Sequence, residues 1–310
     1  MSVSPDGDLY IADTGKSRLI QLNSAGIVKE KYGTFGSGSR QFNDPVACSV
    51  APTGRILVCD RKNSRLHSIS FQTDRANTIQ LPAEPVAVQV SSKETIVIAF
   101  ADGTIRHFDG TGSERYKWSL MQPSVLDQFS GLSITLPNIQ THSSPKFHED
   151  ASIRMALAEN NMLYVSDRIR NQIQIYDVSG KNVKCLPLIL PHSYMACTPS
   201  AICLGPLDTL IVADGLNHTI SSFRRSDGLF ERTLLKPSDD VGAVQSVATT
   251  PEGHIVDTEF SANGPHCLKI FRFLQCSCHN APSKETTTEN RSLKSFDSKK
   301  ASDSIDFTLP

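Results

Sequence analysis

The sequence predicts an all-β protein made of repeated four-stranded units. The pattern behind this prediction is clearest at residues 161–180, where an apolar run from Leu163 to Val165 is followed by a polar turn. After the turn, Ile173 and Ile175 alternate with glutamines. An apolar run next to a segment that alternates with period two is typical of a β-hairpin.

This hairpin pattern recurs six times along the chain. The third copy has a turn shortened to Ala101–Gly103, and the sixth is interrupted by a short loop. The copies occupy residues 6–26, 54–70, 95–110, 161–180, 208–223 and 253–273. Recurrence at a regular interval indicates a repeat architecture.

Two further strand-like segments flank the hairpins. A short apolar segment, often led by proline, precedes hairpins two to six, and another strand-like segment follows hairpins one to five. The preceding segments are residues 45–52, 85–91, 153–159, 199–205 and 243–249; the following segments are 27–32, 76–81, 114–120, 182–188 and 229–235. Four strands in ~40–47 residues, repeated six times, predict a six-bladed β-propeller with four-stranded antiparallel blades over residues 1–275.

Two segments fall outside this repeat. Residues 121–150 are rich in proline, serine and polar residues and are predicted to form an inserted surface loop. Residues 276–310 are almost wholly polar, so they bury too little apolar surface to offset the entropy lost on ordering. We therefore expect a disordered C-terminal tail.

The sixth blade raises a question of closure. Met1 falls in the innermost strand of the first blade, and no obvious outer strand follows the sixth hairpin. Either the C-terminal segment SIDFTLP supplies that strand, or the blade keeps three strands, or the chain is the C-terminal part of a longer protein. Closed propellers commonly take the missing strand from the other terminus. We favour the third interpretation, that the chain is the C-terminal part of a longer protein.

Composition excludes several classes of function. The 31 Lys and Arg residues nearly balance the 32 Asp and Glu residues, so no global field favours DNA, RNA or a membrane, and any electrostatic partner must meet a local patch. No apolar run approaches the roughly 18–20 residues that span a bilayer, and the N-terminus lacks the pattern of a secretory signal. The eight cysteines lie mostly in apolar strands, which predicts reduced thiols and a cytoplasmic location.

Four copies of the hairpin carry a more specific pattern, in which Asp ends the second strand and a polar turn leads into an alternating strand. They read ADTGKSRLIQL, CDRKNSRLHSI, SDRIRNQIQIY and ADGLNHTISSF. This pattern resembles the NHL repeat, which occurs at the C-terminus of tripartite-motif (TRIM-NHL) and RING-NHL ubiquitin ligases. The resemblance implies a platform that recognises a protein partner or ubiquitination substrate. No paired C-x-x-C motifs occur, so ligase chemistry would require a RING ahead of these residues.

The repeated aspartates are interpreted as structural. A carboxylate at the end of a strand accepts backbone N–H bonds across the following turn, whereas a catalytic acid is needed only once. The aspartates are Asp13, Asp60, Asp167 and Asp214.

Basic side chains recur in the same turns, and equivalent turns of a propeller gather on one face. The residues are Lys16, Arg18, Arg61, Lys62, Arg65, Arg168, Arg170 and His218. Three interpretations stay open: a solvated face, a protein-binding face, and a face that holds single-stranded RNA through phosphate contacts and stacking. Some NHL propellers in the resembled family bind RNA on this face and others bind proteins.

Catalysis and metal binding have little support in the sequence. Among the innermost strands only Glu159 supplies a carboxylate, and no nucleophile, zinc-protease or phosphate-loop motif is present. Cys276, Cys278 and His279 could suggest zinc, with His266 and Cys267 as partners, but no second pair lies close by. We therefore expect no cofactor and no metal, and keep a metal-dependent hydrolase or lyase as a distant alternative.

Overall fold

The computed structural model describes residues 1–71, 73, 75–120, 153–168, 170–190, 197–260 and 267–271. Six antiparallel sheets occupy this part of the chain, one for each predicted unit. The all-β six-bladed propeller predicted from the repeat is confirmed. The predicted loop at 121–150 and the tail at 276–310 lie outside the described residues.

The strands follow one another in order within each blade, from the innermost to the outermost. Blade 1 contains β1 (Ser2–Val3), β2 (Leu9–Asp13), β3 (Arg18–Leu22) and β4 (Val28–Tyr32); β5 (Thr34–Phe35) and β6 (Gln41–Phe42) form a short parallel pair in the connection to blade 2. Blade 2 contains β7 (Pro45–Val50), β8 (Ile56–Asp60), β9 (Arg65–Ser70) and β10 (Arg75–Gln80). Blade 3 contains β11 (Pro85–Val90), β12 (Ile96–Phe100), β13 (Thr104–Phe108) and β14 (Glu114–Ser119).

The second half of the chain repeats this arrangement until the last blade. Blade 4 contains β15 (Met155–Leu157), β16 (Leu163–Asp167), β17 (Gln172–Tyr176) and β18 (Asn182–Pro187). Blade 5 contains β19 (Pro199–Leu204), β20 (Thr209–Asp214), β21 (Thr219–Arg224) and β22 (Phe230–Leu235). Blade 6 contains β23 (Ala243–Thr249), β24 (Ile255–Phe260) and β25 (Cys267–Phe271), so its described sheet has three strands.

The only helical elements among the described residues are short 3-10 turns. They span Thr14–Lys16, Arg61–Asn63 and Pro237–Asp239. None is long and apolar enough to cross a bilayer.

The hydrophobic core lies between neighbouring blades rather than within one central layer. Each of the six interfaces holds its own cluster of buried apolar side chains. The last cluster joins Val256 of blade 6 to Leu9 and Ile11 of blade 1, and β1 contacts both β7 and β23. The ring is therefore closed by packing between the first and last blades.

The antiparallel order of the strands defines two faces. The turns between the first and second strands of all blades lie on one face, which we call the A–B face. The turns between the second and third strands lie on the other, together with the connections between blades; we call this the B–C face. The predicted basic residues lie on the B–C face.

Candidate functional site

The four aspartates that end the second strands organise the turns of the B–C face. The residue four positions after each aspartate has a left-handed backbone, with φ between 49° and 53°, in every one of these turns. These residues are Ser17, Ser64, Asn171 and His218. Positive φ is costly for residues with a Cβ, so the repeated geometry requires side chains that support the turn.

Three of the aspartates accept hydrogen bonds from backbone N–H groups of the turn that follows them. Asp13 accepts from the backbone N–H of Lys16 at 3.3 Å, and Asp167 accepts from that of Arg170 at 3.0 Å. Asp214 accepts from the N–H groups of two residues in its turn, at 2.9 and 3.2 Å. These contacts have the form expected of a structural carboxylate.

Asp60 differs because its backbone donor is Asn43, 17 residues earlier, rather than an N–H group of its own turn. Its Oδ1 accepts from the backbone N–H of Asn43 at 2.6 Å, and its Oδ2 accepts from Asn63 Nδ2 at 2.8 Å and from Arg65 Nε at 2.7 Å. Burial alone would raise the pKa of this carboxyl, but His67, whose Nε2 is 3.3 Å from Oδ2, together with Asn63, Arg65 and the Asn43 N–H, outweighs burial and lowers the pKa. Asp60 is thus held as a buried carboxylate.

Arg65 completes this network rather than facing solvent. Its guanidinium donates to the carbonyl oxygens of Ser37 at 2.6 Å, Gly38 at 3.0 Å and Gln41 at 2.8 Å. The side chain is 10% exposed. Arg65 therefore ties the connection between blades 1 and 2 to blade 2, and a partner has little access to it.

Four of the eight predicted basic residues on this face have carboxylate partners. Arg18 pairs with Asp13 and Arg61 pairs with Asp44, at 2.7 and 2.5 Å. Arg170 pairs with Asp167 at 2.6 Å, and Arg65 pairs with Asp60 at 2.7 Å. The face is consequently closer to neutral than a count of its basic residues suggests.

Blade 4 presents positive charge of a different kind. Among the described residues, no carboxylate forms an ion pair with either Arg154 or Arg168. Burial, and then the like charge of Arg168, lower the pKa of the Arg154 guanidinium to about 10. Arg154 lies just before β15, near the channel, and its Nε donates to the Ser200 carbonyl at 3.4 Å. These two arginines form what we call the blade 4 arginine pair.

Large apolar side chains are exposed on the same face. Ile189 lies in the connection between blades 4 and 5, Leu216 in the turn of blade 5, and Phe260 at the end of β24 in blade 6. Phe35, on the connection between blades 1 and 2, is also exposed. Exposed apolar groups mark a binding surface where they form a contiguous patch, whereas isolated ones are ordinary.

The A–B face contains the mouth of the central channel. All six blades line a cavity of about 540 Å³ there, at the ends of the innermost strands. Its rim carries Pro5, Pro52, Pro206 and Pro251, and Glu159 supplies its carboxylate. Within the described ranges, no group of three or more His, Cys, Asp or Glu side chains could hold a metal ion. Cys276, Cys278, His279 and His266 lie outside those ranges.

Sequence reasoning located the turns but missed the residues that distinguish one blade from another. Leu216 could have been noticed as an apolar residue within a polar turn. Arg154 gave no such signal, because a lone arginine before an apolar strand is common. Its position beside Arg168 depends on how the innermost strand of blade 4 meets its own hairpin.

Comparison with known proteins gives one short match by sequence. No model of a known protein family matches the chain. A segment of 74 residues is 32% identical to human "NHL repeat-containing protein 3". The match covers 23% of this chain and 21% of that protein, so it spans about a fifth of the relative's length.

Similarity to solved structures extends over most of the chain. A streptogramin B lyase is 13% identical with a TM-score of 0.56, covering 82% of this chain and 74% of that one. Virginiamycin B lyase from Staphylococcus aureus is 13% identical with a TM-score of 0.54, covering 87% and 82%. Kuenenia stuttgartiensis hydrazine synthase is 12% identical with a TM-score of 0.54, covering 88% and 94%.

Identities this low establish the fold alone. The six blades and the local match to an NHL-repeat protein together support an NHL-type β-propeller.

Proposed function

We propose that the chain is a non-catalytic recognition module that binds a protein partner on its B–C face. The observation that carries this proposal is the location of the blade 4 arginine pair on the same face as exposed apolar side chains of blades 4 to 6. Protein interfaces combine an apolar centre with arginines at desolvated positions. A partner segment with apolar residues next to an acidic one would match this surface.

A more specific proposal is that the partner belongs to a ubiquitin-ligase pathway. The resemblance to NHL repeats supports a partner that is a ubiquitination substrate or a component of a ubiquitin ligase. The human relative named for NHL repeats supports the repeat type and carries no information on the pathway. Recovery of a RING-containing protein or of ubiquitinated proteins with the wild-type chain is the expected result.

Leu216→Glu is expected to abolish partner binding, because a buried carboxylate would face an apolar partner surface. Leu207→Glu is the matched control: Leu207 is on the A–B face of the same blade and is 94% exposed, against 59% for Leu216. The measurement is quantitative mass spectrometry of proteins retained by wild-type, Leu216→Glu, Leu207→Glu and Arg168→Glu chains. Proteins kept by the control and lost with the other two variants support this face. Equal loss with Leu207→Glu contradicts it.

Binding of single-stranded RNA is a second candidate, and one observation favours it. Asn63 Nδ2 donates to the Gly36 carbonyl at 2.9 Å, which holds the connection bearing the exposed Phe35 ring against the turn that bears Lys62. An exposed ring beside a cation can stack on a base and contact a phosphate. Against it, four of the arginines on this face are already ion-paired.

The RNA candidate predicts binding of a labelled single-stranded oligonucleotide that weakens steeply as salt rises. Phe35→Ala and Lys62→Glu are each expected to reduce the affinity for this oligonucleotide about tenfold or more, which is the size of one stacking contact. Lys93→Glu, on the A–B face, should leave it unchanged. Arg65 is unsuitable for this test because its substitution would break a buried network. An affinity that is insensitive to Phe35→Ala would remove this candidate.

A metal-dependent hydrolase or lyase remains a distant alternative. Two of the similar structures are lyases, at 13% identity, and their likeness to this chain concerns the fold. Calorimetric titration of the purified chain with divalent cations tests this alternative. Stoichiometric binding that is lost in Glu159→Gln would support it, since Glu159 lines the central cavity.

A further inference from the structure

The outer edge of blade 6 has no strand paired to it in the described part of the chain. β25 pairs with β24 on one side only, whereas the third strand of every other blade pairs with a fourth. An open strand edge exposes a row of backbone N–H and C=O groups that can pair with another strand.

The side chains of blade 6 show that apolar surface near this edge is incompletely buried. Leu268 of β25 is opposite Thr258 of β24. The equivalent pair in blade 2 is Leu66, opposite Cys59. Residues at this position in blades 1 to 5 are at most 1% exposed: Leu19, Leu66, Ile105, Ile173 and Ile220. Leu268 is only partly buried. The interface between blades 6 and 1 has one fully buried residue from blade 6, Val256, against four from blade 1.

In blades 1 to 5 the fourth strand supplies the missing cover. The residue opposite the buried leucine or isoleucine is always large and apolar: Tyr32, Ile79, Trp118, Leu186 and Leu235. In blades 2 and 4 a leucine two positions later, Leu81 or Leu188, is buried in the same interface. The fourth strand therefore needs an apolar residue opposite the buried leucine or isoleucine of the third strand. A second apolar residue often follows two positions later.

The C-terminal segment of this chain has that pattern. Blade 2 reads Ile79-Gln80-Leu81-Pro82, and the chain ends in Phe307-Thr308-Leu309-Pro310. The residues before them, up to Ser304, contain neither glycine nor proline, as a strand requires. Ile134-Thr135-Leu136-Pro137 has the same pattern, but it follows β14 of blade 3 in the sequence, and blade 3 is opposite blade 6 in the ring.

We propose that residues 304–309 form the fourth strand of blade 6, antiparallel to β25, with Phe307 opposite Leu268. In this register Thr308 is opposite Cys267 and Leu309 enters the interface between blades 6 and 1. The 39 residues after Phe271 are more than enough to return to a neighbouring strand about 4.8 Å away. Loop-closure entropy grows only with the logarithm of loop length, so a long excursion is tolerated.

The register predicts a specific disulfide. Residues directly opposite in an antiparallel pair have Cβ atoms close enough for a disulfide. We expect Thr308→Cys, with Cys276 and Cys278 changed to serine, to form a bond to Cys267 on mild oxidation, mapped by mass spectrometry of proteolytic fragments. Ser298→Cys in the same background is the control, because it lies in the same tail outside the proposed strand. A yield for Thr308→Cys no higher than for Ser298→Cys overturns the proposal.

Thermal unfolding gives an independent readout. Removal of residues 304–310 is expected to lower the Tm by about 4 °C or more, because Leu268 and the adjoining interface lose their cover. Phe307→Asp should lower the Tm by a similar amount. Ile305→Asp should be tolerated, since the equivalent positions Glu30, Asn77 and Lys184 are exposed and polar. An unchanged Tm after the deletion overturns the proposal and leaves the edge open for a strand from another molecule.

Discussion

Asp257→Val is expected to raise the free energy of unfolding by about 3 kcal/mol or more at pH 7.5. Asp257 is fully buried at a position of the second strand that faces the preceding blade. The equivalent residues of the other five blades are apolar: Ile11, Val58, Ile98, Val165 and Val212. Within the described ranges, neither of its carboxyl oxygens has a hydrogen-bond partner of good geometry, although the Glu259 carboxyl and the Lys269 backbone N–H lie near enough to affect its pKa.

The pH dependence of stability should identify this carboxyl as the cause. Burial, and then the negative charge of Glu259, raise the pKa of Asp257 to about 8, although the positive charge of Lys269 opposes them. The folded state thus holds a proton that the unfolded state releases above about pH 4, and stability falls as pH rises from about 4 to about 8. Between pH 6.5 and 8 this fall should reach about 2 kcal/mol.

Denaturant unfolding of wild-type and variant chains at pH 6.5 and 8 measures this dependence. Burial lowers the pKa of His107 to about 4, below this window, and raises the pKa of the Cys59, Cys197 and Cys203 thiols, which titrate above it. Asp257→Asn should remove the pH dependence without the full gain in stability, since its amide stays buried. Val212→Asp should create a similar dependence in blade 5. A loss of stability in Asp257→Val would show that this carboxyl is stabilising, contrary to the prediction.

Asp60→Ala is expected to lower the free energy of unfolding by about 3–5 kcal/mol, because it leaves the Arg65 guanidinium buried without its counter-charge. Asp60 has no solvent exposure and accepts from three donors, including Arg65. The connection at residues 37–41 depends on the same arginine. Loss of the carboxylate should therefore also loosen the link between blades 1 and 2.

Two comparisons isolate the buried pair. Asp109→Ala removes a partly exposed carboxylate with a similar number of local hydrogen bonds, to Thr111, Ser113 and Arg115, and should lower the Tm much less than Asp60→Ala does. The double variant Asp60→Leu with Arg65→Met should be more stable than Asp60→Ala, because no unpaired charge stays buried. Because the pKa of Asp60 is lowered, the difference between wild type and Asp60→Ala should shrink as pH falls below about 4. A double variant no more stable than Asp60→Ala would contradict this account.

The sequence by itself determined the number of blades, the order of strands and the turns that carry the aspartates. These features are local, because alternation and turn chemistry act over a few residues and then repeat. The same reasoning placed the basic residues on one face, since equivalent turns of a propeller coincide. It could not tell which of them stay charged and accessible.

Only the tertiary structure decided that question. Arg61 pairs with Asp44, 17 residues earlier, and Arg65 reaches carbonyl groups more than 20 residues away. The burial of Asp257 and the partial exposure of Leu268 likewise depend on which blades flank blade 6 and which strands cover it. Charge pairing and burial are set by contacts between distant segments, and a local pattern contains no information about them.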